Sequence, residues 1–109
     1  MISSAIAMLL LVAAPGNPAS QSRDGYANCL RELVRTSAEK KLDASAFDAA
    51  LGSACRDKEA SFKNAMVESE VKVGIKRAVA EQGIQQEIAD YRVTAKEEFQ
   101  AELASPPKN

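Results

Sequence analysis

Residues 28–55, "NCLRELVRTSAEKKLDASAFDAALGSAC", contain both cysteines of the chain, one near each end. Apolar residues recur at helical spacing before and after Leu42. Asp43 is suited to cap a second helix, because Leu42 before it and Phe47 after it have the spacing of a hydrophobic staple. The segment therefore predicts two helices joined by a short loop near Leu42, and Asp24 is the predicted cap of the first.

The positions of the two cysteines indicate that they are bonded to each other. Helices joined by so short a loop run antiparallel, so residues equally far from the loop lie at the same height. Cys29 and Cys55 are equally distant from Leu42, and both lie on apolar faces of their helices. We therefore predict a Cys29–Cys55 disulfide, which requires an oxidising compartment.

The first 20 residues differ in composition from the rest of the chain. Residues 5–14 are continuously apolar, and no charged side chain precedes Arg23. Such a run is too short to span a bilayer, and Pro15, Gly16 and Pro18 end it. The pattern predicts a signal peptide over residues 1–20, cleaved between Gly16 and Ser20, and hence a periplasmic or secreted protein. We expect a single small domain at 21–104 and a disordered tail at 105–109.

The segment from Ala44 to Leu103 contains no proline and is helical in pattern throughout. Taken literally it is one helix of about 60 residues. Its apolar residues change side around 71–83, so either that segment is covered on two faces or the helix kinks or breaks near Gly74 or Gly83. The predicted fold is all-α, a disulfide-linked antiparallel helical hairpin continuing into a long amphipathic helix. The alternative is a compact three-helix bundle in which the last segment folds back. In the long-helix arrangement one apolar stripe is an exposed interaction surface; its residues are Ile84, Ile88, Tyr91, Ala95 and Phe99.

The composition argues against several classes of function. The chain has no histidine, the commonest general base and transition-metal ligand, and its formal net charge is −1, which disfavours nucleic-acid binding. It also lacks a glycine-rich phosphate loop and any cysteine or carboxylate motif with metal-ligand spacing. We therefore expect no catalytic, cofactor-binding or metal-binding residue and no enzyme activity.

One basic turn near Gly74 is the remaining feature with a possible ligand. Lys72, Lys76 and Arg77 could contact phosphate or lipid headgroups, but Glu70 and Glu81 flank them. A solvated face is the favoured interpretation of this turn.

The functional expectation is an exported, non-enzymatic protein that acts by protein–protein contact as a scaffold, inhibitor or chaperone-like factor. Its partner is another protein or, through the apolar stripe, a second copy in a weak homodimer. The alternative is an envelope-surface module that binds lipid through the C-terminal amphipathic helix. Carboxylates such as Glu87, Asp90 and Glu97 on that helix disfavour contact with anionic membranes.

Overall fold

The computed structural model describes residues 17–105, and it is all-α over that range. The predictions for residues 1–16 and 106–109, which include most of the signal peptide and the tail, lie outside the described residues. Four helices follow one another along the chain: α1 (Pro18–Glu39), α2 (Ala44–Ser53), α3 (Arg56–Lys72) and α4 (Arg77–Ala104).

Helix α1 begins earlier than the sequence pattern predicts. Asn17 is its N-cap, with the side-chain oxygen accepting a hydrogen bond from the Ser20 N–H at 2.8 Å, and Pro18 follows at the first helical position. Both residues are well suited to these positions. Asp24 lies inside the helix, so its predicted role as the cap is wrong.

The connection between α1 and α2 is a closed helix-terminating turn. Lys41 has a positive φ of 53°, its N–H donates to Ala38 O, and the Leu42 N–H donates to Ser37 O. This is the Schellman pattern of hydrogen bonds. Asp43 then caps α2 by accepting from the Ala46 N–H at 2.7 Å, which confirms its predicted role.

Replacement of Lys41 by glycine is expected to stabilise the protein. A side chain in the left-handed region is strained, and the relief of that strain by glycine outweighs the greater freedom that glycine gives the unfolded chain. We expect Lys41→Gly to raise the free energy of unfolding by about 0.5–1 kcal/mol in urea titrations. Lys40→Gly is the matched control, because Lys40 has φ −80° and gains nothing from glycine. A loss of stability in Lys41→Gly equal to that in Lys40→Gly would contradict the strain argument.

The predicted disulfide is present and joins the two arms of the hairpin. Cys29 and Cys55 are 26 residues apart in sequence, and their Cα atoms are 5.9 Å apart.

The second arm of the hairpin is interrupted at Cys55. Cys55 has φ −109° and ψ 19°, and it separates α2 from α3. The segment from Ala44 to Leu103 therefore has a break at Cys55, which the sequence pattern does not predict.

A second break, at residues 73–76, reverses the chain between α3 and α4. Gly74, one of the two predicted places for a break, has φ +94° there. Gly83, the other, lies within α4, which continues through it without interruption. Because the chain reverses at Gly74, α4 runs antiparallel to α3 and parallel to α1.

The three long helices α1, α3 and α4 pack against one another, and α2 contacts α1 and α4. The architecture is therefore the compact bundle that the sequence offers as the alternative, with its second arm divided into α2 and α3. One continuous core fills it. The five largest of the fully buried side chains come one from each helix and one from the junction between α2 and α3: Tyr26, Phe47, Phe62, Phe99 and Cys55.

Candidate contact surface

The apolar stripe of α4, predicted to be an exposed interaction surface, lies in the core. Ile84, Ile88, Ala95 and Phe99 are buried, and Tyr91 is half-buried. The prediction is wrong because α4 folds back onto α1 and α3, which cover the face that a protruding helix would expose.

Aromatic contacts hold this stripe in place. Phe99 stacks on Phe47 of α2 with ring centroids 4.1 Å apart. Tyr91 meets Tyr26 of α1 and Phe62 of α3 edge-on, at 5.6 and 5.9 Å. The stripe residues are therefore internal packing residues of the bundle.

A polar cluster links the three long helices beside these aromatic rings. The Tyr26 hydroxyl donates to Glu59 Oε1 at 3.1 Å, and Arg92 donates to the same oxygen from Nε at 3.1 Å and from Nη2 at 2.7 Å. Burial, opposed by the hydrogen bond from Arg92, raises the pKa of Tyr26 to about 12. Burial alone would lower the pKa of Arg92, but its bonds to Glu59 and Tyr26 raise it. All three side chains are hydrogen-bonded through Glu59 Oε1, so the cluster is a cross-link between the helices.

The raised pKa of Tyr26 predicts an alkaline loss of stability. The unfolded phenol ionises near 10.0 and the folded one near 12, so between these values the folded chain keeps a proton that the unfolded chain has released. The stabilisation is complete below pH 10 and falls as pH rises toward 12, by about 2 kcal/mol.

Tyr26→Phe is the matched variant for this effect. At neutral pH it should be less stable than the wild type by about 1 kcal/mol, because a hydrogen bond to Glu59 is lost. Its free energy of unfolding should then fall less steeply at alkaline pH, since it has no phenol to ionise. Urea titrations from neutral to alkaline pH measure the free energy of unfolding of both proteins. If the two pH profiles run parallel, the raised pKa of Tyr26 is contradicted.

Arg23 forms a second cross-link near the same rings. Its guanidinium carbon lies 5.7 Å from the Phe62 ring centroid, and Nη2 lies 3.2 Å from Glu87 Oε1. The Nε atom is buried without a hydrogen-bond partner among the described residues. These contacts tie α1 to α3 and α4 and fix their relative heights.

The concave parts of the surface are open grooves between helices. One, of about 710 Å³, lies between α1 and the end of α4 and is lined by Arg31, Arg35, Glu98 and Glu102 among others. Another, of about 320 Å³, lies between α3 and α4. Within residues 17–105 no group of three or more cysteine or carboxylate side chains is placed to hold a metal ion.

The clearest unpartnered apolar surface in the described part of the chain is at the reversal between α3 and α4. Five large apolar residues are exposed in that part, and three of them, Val73, Ile75 and Val79, lie within seven residues of one another. Val73 is 78% exposed and Val79 is 58% exposed. We call residues 72–79 the tip.

The backbone of the tip is held by its own hydrogen bonds. The Gly74 N–H donates to Val71 O at 3.1 Å, and the Ile75 N–H donates to Glu70 O at 3.0 Å. Gly74 supplies the positive φ that this turn requires, which other residues adopt only with strain. The exposure of Val73 and Ile75 is therefore built into an ordered turn.

Basic residues surround these apolar side chains. Lys72 and Lys76 are exposed, and Arg77 is paired with Glu68 at 2.8 Å. Lys76 is also the N-cap of α4, where it makes no side-chain capping bond. A cation is unfavourable at the positive end of a helix dipole, and the usual caps are Ser, Thr, Asp and Asn. The tip thus departs from the residues that would best stabilise the bundle, as contact sites commonly do.

Part of this surface is recognisable in the sequence. The basic turn is visible there, but the flanking Glu70 and Glu81 favour its interpretation as a solvated face. The sequence does not show that Val73 and Val79 are exposed, because their exposure depends on where the helices of the bundle end.

Compared with known proteins, the chain matches no family model, no curated sequence and no solved structure. Its class is therefore defined by its own structure, a small helical bundle with one disulfide. None of the helices in the described range is both long enough and apolar enough to cross a membrane.

Proposed function

We propose that this chain is an exported, non-enzymatic protein that acts by contact, and that the tip is its contact surface. The observation that carries the proposal is that Val73 and Ile75 are exposed on one ordered turn and that Val79 is exposed in the first turn of α4, which follows it directly. Exposed apolar patches on a small protein mark interaction sites. The C-terminal stripe is not available for this role in the folded monomer, either to a partner or to a second copy.

Two observations support the extracytoplasmic location. The Cys29–Cys55 disulfide belongs to an oxidising compartment, and residues 5–14 have the composition of a signal-peptide core.

The start of α1 narrows the proposed signal-peptide cleavage site to one position. Asn17 caps the helix and Ala19 is buried, so cleavage after Gly16 preserves both, whereas cleavage after Ser20 removes them. We expect the mature chain to begin at Asn17, because loss of the cap alone costs about 1 kcal/mol. Intact mass of the exported protein measures this. A mature chain beginning at Gln21, or one retaining Met1, would contradict the assignment.

The contact function is tested by photo-crosslinking in the cells that produce the protein. A photoreactive phenylalanine analogue replaces Val73 in one variant and Val93 in the other. Val93 is the matched control, because it is 54% exposed on α4 but lies away from the tip. We expect adducts from position 73 and none above background from position 93. Adducts of equal yield from both positions, or none from position 73, would contradict the proposal.

A further inference from the structure

We infer that the tip binds the surface of an anionic lipid bilayer. The inference rests on the proposed contact function and names the partner of that same surface. Its basis is the combination at one end of the bundle of three exposed apolar side chains with two cations, Lys72 and Lys76, that form no ion pair within the described residues.

The arrangement of the tip fits a lipid headgroup layer. Val73 and Ile75 are each next to a lysine in sequence, so apolar groups that enter the interface bring cations to headgroup level. Apolar burial and attraction to anionic lipids together determine interfacial binding. The tip itself contains no carboxylate; Glu70 and Glu81 lie two residues outside it on either side, and Glu68 is paired with Arg77, so Lys72 and Lys76 leave the tip with a positive charge.

The size of the tip disfavours a protein as its sole partner. A stable protein–protein interface occupies about 20–30 residues on each side. The tip has eight, from Lys72 to Val79, and the described surface beyond them carries only Val93 and Leu103 as further large exposed apolar residues. Insertion into a bilayer interface needs no such area, because lipid surrounds each inserted side chain.

The orientation of the bundle supports the same partner. Arg23 of α1 contacts Met66 of α3 and Glu87 of α4, which fixes the heights of the three helices. Because α3 is antiparallel to α1, Pro18 lies toward the C-terminal end of α3, the end at which the chain turns at Val73. The chain that follows the apolar run at residues 5–14 therefore enters the bundle at the end that carries the tip. Before the signal peptide is cleaved, its core in the membrane would keep this end of the bundle close to the same membrane.

The test uses the protein in the form that its cells accumulate. Binding is measured by co-sedimentation with vesicles of phosphatidylcholine alone and with vesicles that also contain phosphatidylglycerol. Each lysine near an anionic surface contributes about fivefold in partitioning, so Lys72→Gln/Lys76→Gln should bind the anionic vesicles about 25-fold more weakly. Lys40→Gln/Lys58→Gln also removes two positive charges, from exposed positions outside the tip, and this variant should bind the anionic vesicles as the wild type does.

Insertion is measured separately by fluorescence, because the chain contains no tryptophan. Val73→Trp should show a blue shift in emission on addition of anionic vesicles, and Val93→Trp should show none. Circular dichroism of each variant establishes that it is folded.

The outcomes separate the lipid inference from the contact function. Unchanged emission from the Val73→Trp variant in the presence of anionic vesicles, or equal shifts from both variants, would overturn the lipid inference. If position 73 crosslinks to a protein in cells while the tryptophan introduced there does not respond to vesicles, the contact function stands and lipid is the wrong partner. Equal losses of binding in the two lysine pairs would also overturn the inference, since the attraction would then not depend on the tip.

Discussion

Removal of the Cys29–Cys55 disulfide is expected to lower the free energy of unfolding by about 3.5 kcal/mol. The bond links residues 26 apart in sequence, and the chain-entropy model assigns about this value to a loop of that length. A helical domain of this size buries a modest fraction of its surface, so the loss is a large part of its total stability. Cys29→Ala/Cys55→Ala, compared with the wild type in urea titrations, measures the effect.

The control for this prediction is the reduced wild-type protein. If the disulfide acts by restricting the unfolded chain, the reduced wild type and the double variant should lose similar stability. Purified protein should contain no alkylatable thiol before reduction. Two free thiols in protein taken from an oxidising compartment, or a double variant with unchanged stability, would contradict the account.

Replacement of Phe99 by alanine is expected to cost about 3–5 kcal/mol. Phe99 is 1% exposed and stacks on Phe47, so its removal leaves a cavity between α4 and α2. Leu103→Ala, one turn further along the same helix, is the control; Leu103 is 40% exposed, and its truncation should cost less than about 1 kcal/mol. Thermal and urea unfolding of the two variants give the comparison.

Phe99→Ala also distinguishes the bundle from the protruding helix that the sequence first suggests. In the bundle it lowers stability and leaves the sedimentation behaviour of the folded protein unchanged. If Phe99 instead formed a dimer interface, the substitution would shift the monomer–dimer equilibrium and have little effect on monomer stability. A sedimentation change without a stability loss would contradict the packing described above.

The hairpin can be predicted from sequence because local signals agree there. The symmetry of Cys29 and Cys55 about Leu42 predicts the disulfide, and the spacing of Leu42, Asp43 and Phe47 predicts the start of α2. The start of α1 is missed because Asn17 falls where the pattern predicts the end of a signal peptide. No proline or glycine turn comes immediately before Cys55, so no local sequence signal predicts the break there.

The stripe on α4 shows the limit of periodicity as evidence. Spacing identifies Ile84, Ile88 and Phe99 as members of one apolar face, and they do share one buried face. Spacing does not say which element covers that face. The answer depends on whether the chain reverses at Gly74, and the same reversal exposes Val73. The buried stripe and the exposed tip are therefore two consequences of one turn.

Side-chain footprinting of the protein in the cells that produce it, compared with the purified protein, tests the central claim that the tip is the contact surface. Hydroxyl radicals oxidise exposed side chains, and mass spectrometry locates the oxidised residues. We predict that Val73, Ile75 and Val79 are less reactive in the cells than in the purified protein, while Val93 and Leu103 react equally in both. Equal reactivity of the tip in both samples, or protection of Val93 and Leu103 instead, would contradict the claim.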